Sequence, residues 1–417
     1  MSAYFRQKIA VCKELGFKRL TLLPIAASLI LLLLLLSKIV KVRVHGVQNS
    51  RIGHFALFTA LTHLQLTQSK KKLGNREINI YAVHSVPSAN CHLEKMWKRH
   101  ITLISGNLGW LIVDLLKRIP KNCVYVEMSG TDRTGLIIQN PPCLSFSPAE
   151  IKLGINFLKN FGIDEVQKFV CLHVRDSSYL AKSWNHFGYS QGHDWSHHDY
   201  RNSEINTYAA AAEALADMGY TVFRMGAVVE KPLNSKHPGV IDYATNGMRT
   251  EFLDIFLGAH CTFCVSTGSG WDSVPHIFKR PSLYVNLLPH FALDCVVRDL
   301  IIYPKIIVDK KTKKVLGLEE IIRRNIQTRH ETHHYASAEV ELRDLNSAEL
   351  ILAVTEMAAR VEGTFVETQR QKDMQAVLKN ILSTYSKLQP TPNYYPVRFE
   401  YASCFLSNYP NFLDGFD

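Results

Sequence analysis

The hydrophobic positions of this chain change period repeatedly, and each change marks an element. Over 41–47, Val42 and Val44 alternate with Lys41, Arg43 and His45, the period-two pattern of a half-buried strand. A turn at Arg51-Ile52-Gly53-His54 and a helical run over 55–66 follow. Strands over 77–83, 101–105 and 123–128 then alternate with helices over 91–98 and 108–119, which makes a βαβαβ half. Residues 130–148 are rich in Gly, Pro, Ser and Thr and have no period, so they predict a linker, with a connecting helix over 150–161. A second alternation begins with a strand over 169–174. Asn202 and Ser203 are placed to cap a helix whose Ile205, Ala209, Ala212, Leu215 and Ala216 share one face and which Gly219 stops. Strands over 220–225, 240–243, 261–265 and 282–286 follow, with a helix capped by Thr250 that points Phe252, Leu253, Phe256 and Leu257 inward. Beyond about residue 300 the pattern is mostly helical and more charged, and the aromatic tail of 394–416 predicts packing against the body.

The fold class this implies is α/β. Four segments are expected: a basic N-terminus with an apolar segment (1–40), a Rossmann-like domain on the acceptor side (41–150), a Rossmann-like donor-binding domain (151–300) and a helical C-terminal extension (301–417). Two αβα domains facing a cleft place a ligand at the carboxyl ends of the strands. Kinases, dehydrogenases and epimerases also use such architecture, so the choice of chemistry falls to particular residues.

From Leu20 to Leu36 no position is charged. As a helix this run spans roughly 25 Å, and continuing to Val40 with Lys38 snorkelling brings it close to the hydrocarbon thickness. A single membrane-spanning helix is the expectation, or a re-entrant segment broken at Pro24. A cleaved signal peptide is disfavoured because the run is long and lacks a small-x-small cleavage site.

Charge sharpens that picture. The formal net charge is +11 over 417 residues, and residues 1–72 carry twelve Lys and Arg against the single acid Glu14, so the remainder sums to zero. Basic residues around an apolar run suit an anionic membrane surface, whereas a nucleic-acid binder needs a basic face on its folded domain. Nine scattered cysteines form no disulfide framework and no Asn-x-Ser/Thr triplet occurs, which points to a reducing compartment.

The loop Ser266-Thr267-Gly268-Ser269-Gly270 follows a strand and opens a helix, so amides at Gly268, Ser269 and Gly270 can face a diphosphate; an ordinary tight turn is the competing reading. It lacks the Gly-Lys-Ser/Thr of a Walker loop and the Gly-x-Gly-x-x-Gly of a dinucleotide site. His173-x-Arg175 ends a predicted strand, where a guanidinium can grip phosphate oxygens in a two-pronged fork. Arg201 and Arg224 are further cationic candidates, with structural pairing the equal alternative. Asp254, between Leu253 and Ile255, favours a structural role over a contact with the donor. His54, at the start of the first domain's first helix, is the best-placed general base, although a structural histidine competes. His186, His193, His197 and His198 with Asp194 and Asp199 read as a polar loop rather than a zinc site, since Gly188, Ser190 and Gly192 break helical continuity. Cys261-x-x-Cys264 reads as core strand.

Several of these stretches carry a resemblance: Leu172-His173-Val174-Arg175-Asp176, Tyr200-Arg201-Asn202-Ser203, the segment from Gly219 to Gly226, Phe252-Leu253-Asp254-Ile255, and Ser266 to Gly270. Together they resemble a family of bacterial glycosyltransferases of surface-polysaccharide synthesis, similar to the GT-B fucosyltransferase-like enzymes. The match covers about 169–290, more faintly Arg51 to His54. It implies a GT-B fold and a sugar transferred from a nucleotide-diphosphate donor to a glycan or glycolipid acceptor, with His54 and Arg175 as the candidate catalytic groups. By the same resemblance a His-x-Arg holds the donor diphosphate, which transfers to His173 and Arg175; Asp176 replaces the second Arg of the usual His-x-Arg-Arg, which argues against fucose. The expected reaction is inverting and metal-independent, with no cofactor beyond the nucleotide-sugar substrate, at a bacterial inner membrane with the body in the cytosol. A nucleotide-sugar epimerase and a non-catalytic glycan- or nucleotide-binding membrane protein are the other readings.

Overall fold

The computed structural model describes residues 3–73, 77–83, 87–120, 124–128, 130–132, 135–164, 168–182, 194–291, 300–387 and 399–416, with backbone alone for 3–19, 69–73 and 385–387. His186 and His193 lie outside the described residues. The chain divides into two compact units, Met1–Gly130 and Thr131–Asp417.

The first unit is built on four parallel strands, β1 (Lys41–Val47), β2 (Glu77–Val83), β3 (Leu103–Ile104) and β4 (Tyr125–Glu127), in the order β3-β2-β1-β4. The predicted alternation sets the register: Val44 pairs with Ile80 on one side and Tyr125 on the other. The helix Cys91–Lys98 begins where the Asn90 side chain accepts from the Leu93 amide, and its Leu93, Met96 and Trp97 are buried. The helix Gly106–Arg118 buries Leu111, Ile112 and Leu116 and ends in Lys117 and Arg118, charges that suit a helix C-terminus.

The apolar run departs from its expected role. It belongs to one helix, Ala3–Leu36, with Pro24 inside it and no break there. Ala26, Ile30 and Leu33, spaced four and three apart, share one face, and they are buried in a core with Leu111, Ile112, Val113 and Leu116. Among the described residues no helix is long and apolar enough to cross a membrane. Neither the spanning helix nor the re-entrant segment is therefore found; one face of the run is committed to the helix Gly106–Arg118.

The second unit carries a seven-stranded parallel sheet: β5 (Phe169–His173), β6 (Thr221–Arg224), β7 (Val240–Ile241), β8 (Phe263–Ser266), β9 (Ser282–Leu287), β10 (Leu300–Pro304) and β13 (Glu400–Tyr401), in the order β13-β10-β9-β8-β5-β6-β7. A separate antiparallel pair joins β11 (Ile306–Asp309) to β12 (Val340–Arg343). The expected C-terminal extension is thus part of the body: β10 and β13 complete the sheet, and one hydrophobic core runs from Val170 to Leu413.

Two boundaries differ from the expectation for physical reasons. The units divide at Gly130 and Thr131 rather than at 150. The helix Pro148–Lys159 packs on the helix Glu251–His260, where a Cβ on Gly154 would come within 2.1 Å of the Phe256 ring, and Phe146 stacks 5.6 Å from Phe278. Asn202 and Ser203 do not cap a long helix; the chain makes two 3-10 turns, Ser196–Arg201 and Ile205–Tyr208, before the helix Ala209–Asp217, and Glu204 caps the second. Gly219 ends that helix at φ +90°, and Thr250 caps its helix through Leu253 N, both as expected.

In each sheet the strand order reverses once, between β1 and β4 and between β5 and β8. Loops leaving the carboxyl ends of such neighbours run to opposite sides of the sheet and open a crevice, the usual ligand position in an open parallel sheet.

Candidate functional site

In an open parallel sheet the ligand crevice is expected at such a reversal, which in the second unit falls at the carboxyl ends of β5 and β8. His173 and Ser266, the last residues of the two strands, pair directly. Two hydrogen bonds continue the lacing past the strand ends: Thr267 N donates to His173 O at 3.2 Å, and Arg175 N donates to the Thr267 hydroxyl at 2.9 Å. Ser203 N in turn donates to Arg175 O at 3.1 Å. The backbone of Arg175 is thereby held from both sides, which fixes where its guanidinium starts. Asp176 accepts from Ser178 N at 2.8 Å and from Glu230 N at 2.9 Å, so it staples the loop.

His173 stacks on Trp271, with ring centroids 5.5 Å apart and planes 16° from parallel. Its Nδ1 lies 3.1 Å from the Ser269 hydroxyl. Desolvation, reinforced by the charges of Arg224 and Arg175, lowers its pKa to about 3, so the imidazole is neutral throughout the physiological range. Ser269 also approaches Asp272 Oδ1 at 3.3 Å. When its single proton goes to that carboxylate, His173 Nδ1 must be the donor, and Nε2 keeps the lone pair.

Asp272 is the hub of the loop. It accepts from the Ser266 hydroxyl at 2.6 Å, from Ser269 N and from the Ser269 hydroxyl, and burial raises its pKa to about 6 against these bonds. Sequence reasoning missed it; the available signal was Ser269-x-x-Asp272, a capping box that opens the 3-10 turn Gly270–Asp272.

The loop differs from the amide cradle expected at Gly268, Ser269 and Gly270. Gly268 N donates to the Ser266 hydroxyl at 3.2 Å and Ser269 N to Asp272, so these two amides are satisfied inside the loop. Gly268 has φ +79°, and a Cβ there would lie 2.7 Å from Leu287 Cδ1, so its glycine is a requirement of the turn. Gly270 starts the 3-10 turn.

The remaining cations separate. Arg201, on the turn Ser196–Arg201, donates to Gly268 O and so reaches the crevice loop. Arg224 is fully buried; it pairs with Asp242 at 3.1 Å and donates to Lys231 O at 3.2 Å, the structural alternative. Asp254 is likewise held inside, by Tyr243 at 3.1 Å and Arg249 at 2.6 Å. Cys261 and Cys264 are buried free thiols.

The corresponding reversal in the first unit lies at the carboxyl ends of β1 and β4. The chain leaving β1 enters a five-residue π-helical turn, His54–Phe58, a geometry common at functional positions. His54 stacks on Phe58, centroids 4.5 Å apart. The Phe58 ring in turn fills the space a Cβ would need at Gly130, just beyond β4, and this contact seats the turn over the strand end. Desolvation, with the nearby Arg51 charge, lowers the His54 pKa to about 4, so it too is neutral at pH 7.

Among the described residues one group of side chains could hold a metal ion, Glu331, His333 and His334. The histidines expected to be a polar loop are partly seen: His197 and His198 lie in the turn Ser196–Arg201, rings 4.1 Å apart.

No family model matches the chain and no curated protein matches it. Among solved structures, the glycosyl transferase family 9 protein of Veillonella parvula aligns over 77% of this chain and 97% of its own, at 10% identity and TM-score 0.41. The E. coli ADP-heptose LPS heptosyltransferase II aligns over 63% and 90%, at 15% identity and TM-score 0.36. An E. coli heptosyltransferase solved with ADP-2-deoxy-2-fluoro heptose aligns over 63% and 92%, at 10% identity and TM-score 0.29. At such scores the likeness fixes neither chemistry nor substrate, which have to come from the residues of the site.

Proposed function

We propose that the protein is a glycosyltransferase that takes a sugar from a nucleotide-diphosphate donor and transfers it to a glycan or glycolipid acceptor of surface-polysaccharide synthesis. The observation that carries this reading is the β5/β8 crevice, where the loop of Arg175, the loop of Ser269 and the turn of Arg201 are hydrogen-bonded into one assembly. Arg175 and Arg201 supply positive charge for a departing diphosphate, the electrostatic contribution that matters most when a charged leaving group separates. His173, neutral and fixed by Ser269, offers Nε2 as a directional hydrogen-bonding group rather than a charge. The diphosphate is then met by side chains without a metal, which suits an inverting displacement.

In the first unit His54 would take the proton of the acceptor hydroxyl. Its neutrality leaves the lone pair available, and its low pKa makes it a weak base, so the proton moves late, after the new bond is well formed. Arg224 has no part in this scheme, because Asp242 and Lys231 O already hold its guanidinium.

The apolar N-terminal helix supports attachment to an anionic membrane surface, on the cytosolic side where such donors are made. Its inner face is taken by the helix Gly106–Arg118, yet Leu20, Ile25, Leu31, Leu32 and Leu35 are at least half exposed. A helix so arranged lies along a leaflet rather than through it.

Incubating the full chain with pooled nucleotide sugars and a bacterial glycan or glycolipid extract tests the proposal. Acceptor-dependent release of a nucleoside diphosphate is the expected result. Conversion of the sugar without an acceptor would identify an epimerase, and binding without turnover would leave a binding protein.

A further inference from the structure

We infer that Glu331, His333 and His334 form a binding site for one divalent transition-metal ion of the zinc class. A ligand atom from each lies within 4.8 Å of the others, and His333 Nδ1 stands 3.1 Å from Glu331 Oε2. The two imidazoles lie 4.0 Å apart, centroid to centroid. His334 Nδ1 is buried and has no hydrogen-bond partner, a costly state for a ring nitrogen that a metal or a proton donor would relieve.

The donor set decides the class of ion. Two imidazole nitrogens and one carboxylate oxygen suit zinc, nickel or copper, whereas magnesium and calcium prefer all-oxygen shells. Around zinc, at about 2.0–2.1 Å from each ligand, the ligand atoms sit roughly 3.3 Å apart. The ligand atoms therefore have at most about 1.5 Å to draw together, which rotation of Glu331 and His333, 48% and 63% exposed, allows. Glu331 also contributes the negative charge that a cation needs beside the start of a helix.

The local sequence His330-Glu331-Thr332-His333-His334 fits the spacing of a zinc-protease helix, in which two histidines one turn apart bind the metal and the glutamate acts as base. The structure does not build that arrangement. The helix begins at Thr332, so His330 precedes it, and the group that converges uses Glu331 itself as a ligand. The reading is a structural ion with an open coordination position, and no hydrolytic step is assigned to it.

Thr332, between the ligands, ties the site to the rest of the unit. Its hydroxyl donates to Ser196 O at 2.8 Å and accepts from Tyr200 N at 3.3 Å, so it holds both ends of the turn that ends in Arg201. An ion that fixes 331–334 would therefore steady the turn Ser196–Arg201. That steadying follows from geometry whether or not the glycosyltransferase reading is right.

The test is a zinc titration of the chelator-treated full chain against a chromophoric competitor, with hydrogen exchange followed over 196–201. One zinc per chain is expected, with affinity reduced at least tenfold in His333→Ala and in Glu331→Gln. Thr332→Val should keep the zinc affinity but lose the zinc-induced protection of the turn. His333→Ala sits at an exposed position, and an unchanged melting curve without metal will show that it folds. Unaltered stoichiometry and affinity in both ligand variants would overturn the assignment, as would magnesium binding as tightly as zinc or no zinc binding by the wild type.

Discussion

The Ser269 hydroxyl lies 3.1 Å from His173 Nδ1, joining the two loops that part at the reversal of strand order in the second unit. Ser269 is itself held by Asp272, so the orientation of His173 depends on a carboxylate that need not touch the ligand. Asp272→Asn keeps the shape but turns an N–H pair toward groups that donate. A buried donor left without an acceptor costs about 1–3 kcal/mol. The ligand-free melting temperature should fall by several degrees, and nucleoside-diphosphate affinity should weaken with it; calorimetry and titration on the same preparation check both.

The same carboxylate predicts a pH dependence. Burial raises Asp272 to about 6, above its ordinary 3.8, so it is ionised at pH 7 and gains a proton as the pH falls through 6. Protonation removes acceptor capacity from the loop, and donor affinity should decline below pH 6 and be fully present above it. The folded state takes up that proton before the unfolded chain does, so this group's contribution to folding stability grows as pH falls from about 6 to 3.8. His173, lowered to about 3, does not change charge in that window. Affinity measured from pH 5 to 8 should show one step near 6 that Asp272→Asn abolishes; a step unchanged in the variant would assign it to another group.

Gly268→Ala should harm folding first. A φ of +79° costs an alanine roughly 1–2 kcal/mol before the contact with Leu287 is counted. Thermal melts of the ligand-free protein should show the loss. Unchanged stability with weakened binding would instead restore the amide-cradle role to this position.

Much of the fold was legible because periodicity reports burial. The strand at Lys41–Val47, the helix capped by Thr250 and the stop at Gly219 all follow from local pattern. The sheet membership of β10 and β13 was not legible, since short strands far apart in sequence are paired by tertiary packing alone. At the site, His173 and Arg175 could be placed at a strand end, and Arg201 near it. The commitments of Arg224 to Asp242 and of the loop amides to Ser266 and Asp272 could not, because sequence shows a charge or an amide but not its partner. The apolar run at 20–36 was ambiguous for a related reason: hydrophobicity all round a helix does not say whether lipid or another helix covers each side.

That ambiguity gives a prediction for the N-terminal helix. Leu31, Leu32 and Leu35 are more than half exposed, so replacing all three by Gln should leave the fold intact while vesicle binding drops at least tenfold. Sedimentation with vesicles containing phosphatidylglycerol, compared with neutral vesicles, measures it. Truncating the helix is a poorer test, because it would also uncover Leu111, Ile112 and Leu116. Undiminished binding by the triple variant would place the membrane contact elsewhere.

Hydrogen exchange with and without UDP, GDP, dTDP and ADP shows whether the β5/β8 crevice receives the diphosphate of a nucleotide sugar. For at least one of these, protection should appear at 173–176 and 266–272 and be lost in Arg175→Lys, which keeps the charge but not the forked geometry. Protection confined to other segments, or undiminished protection in Arg175→Lys, would mean that the diphosphate is not held there.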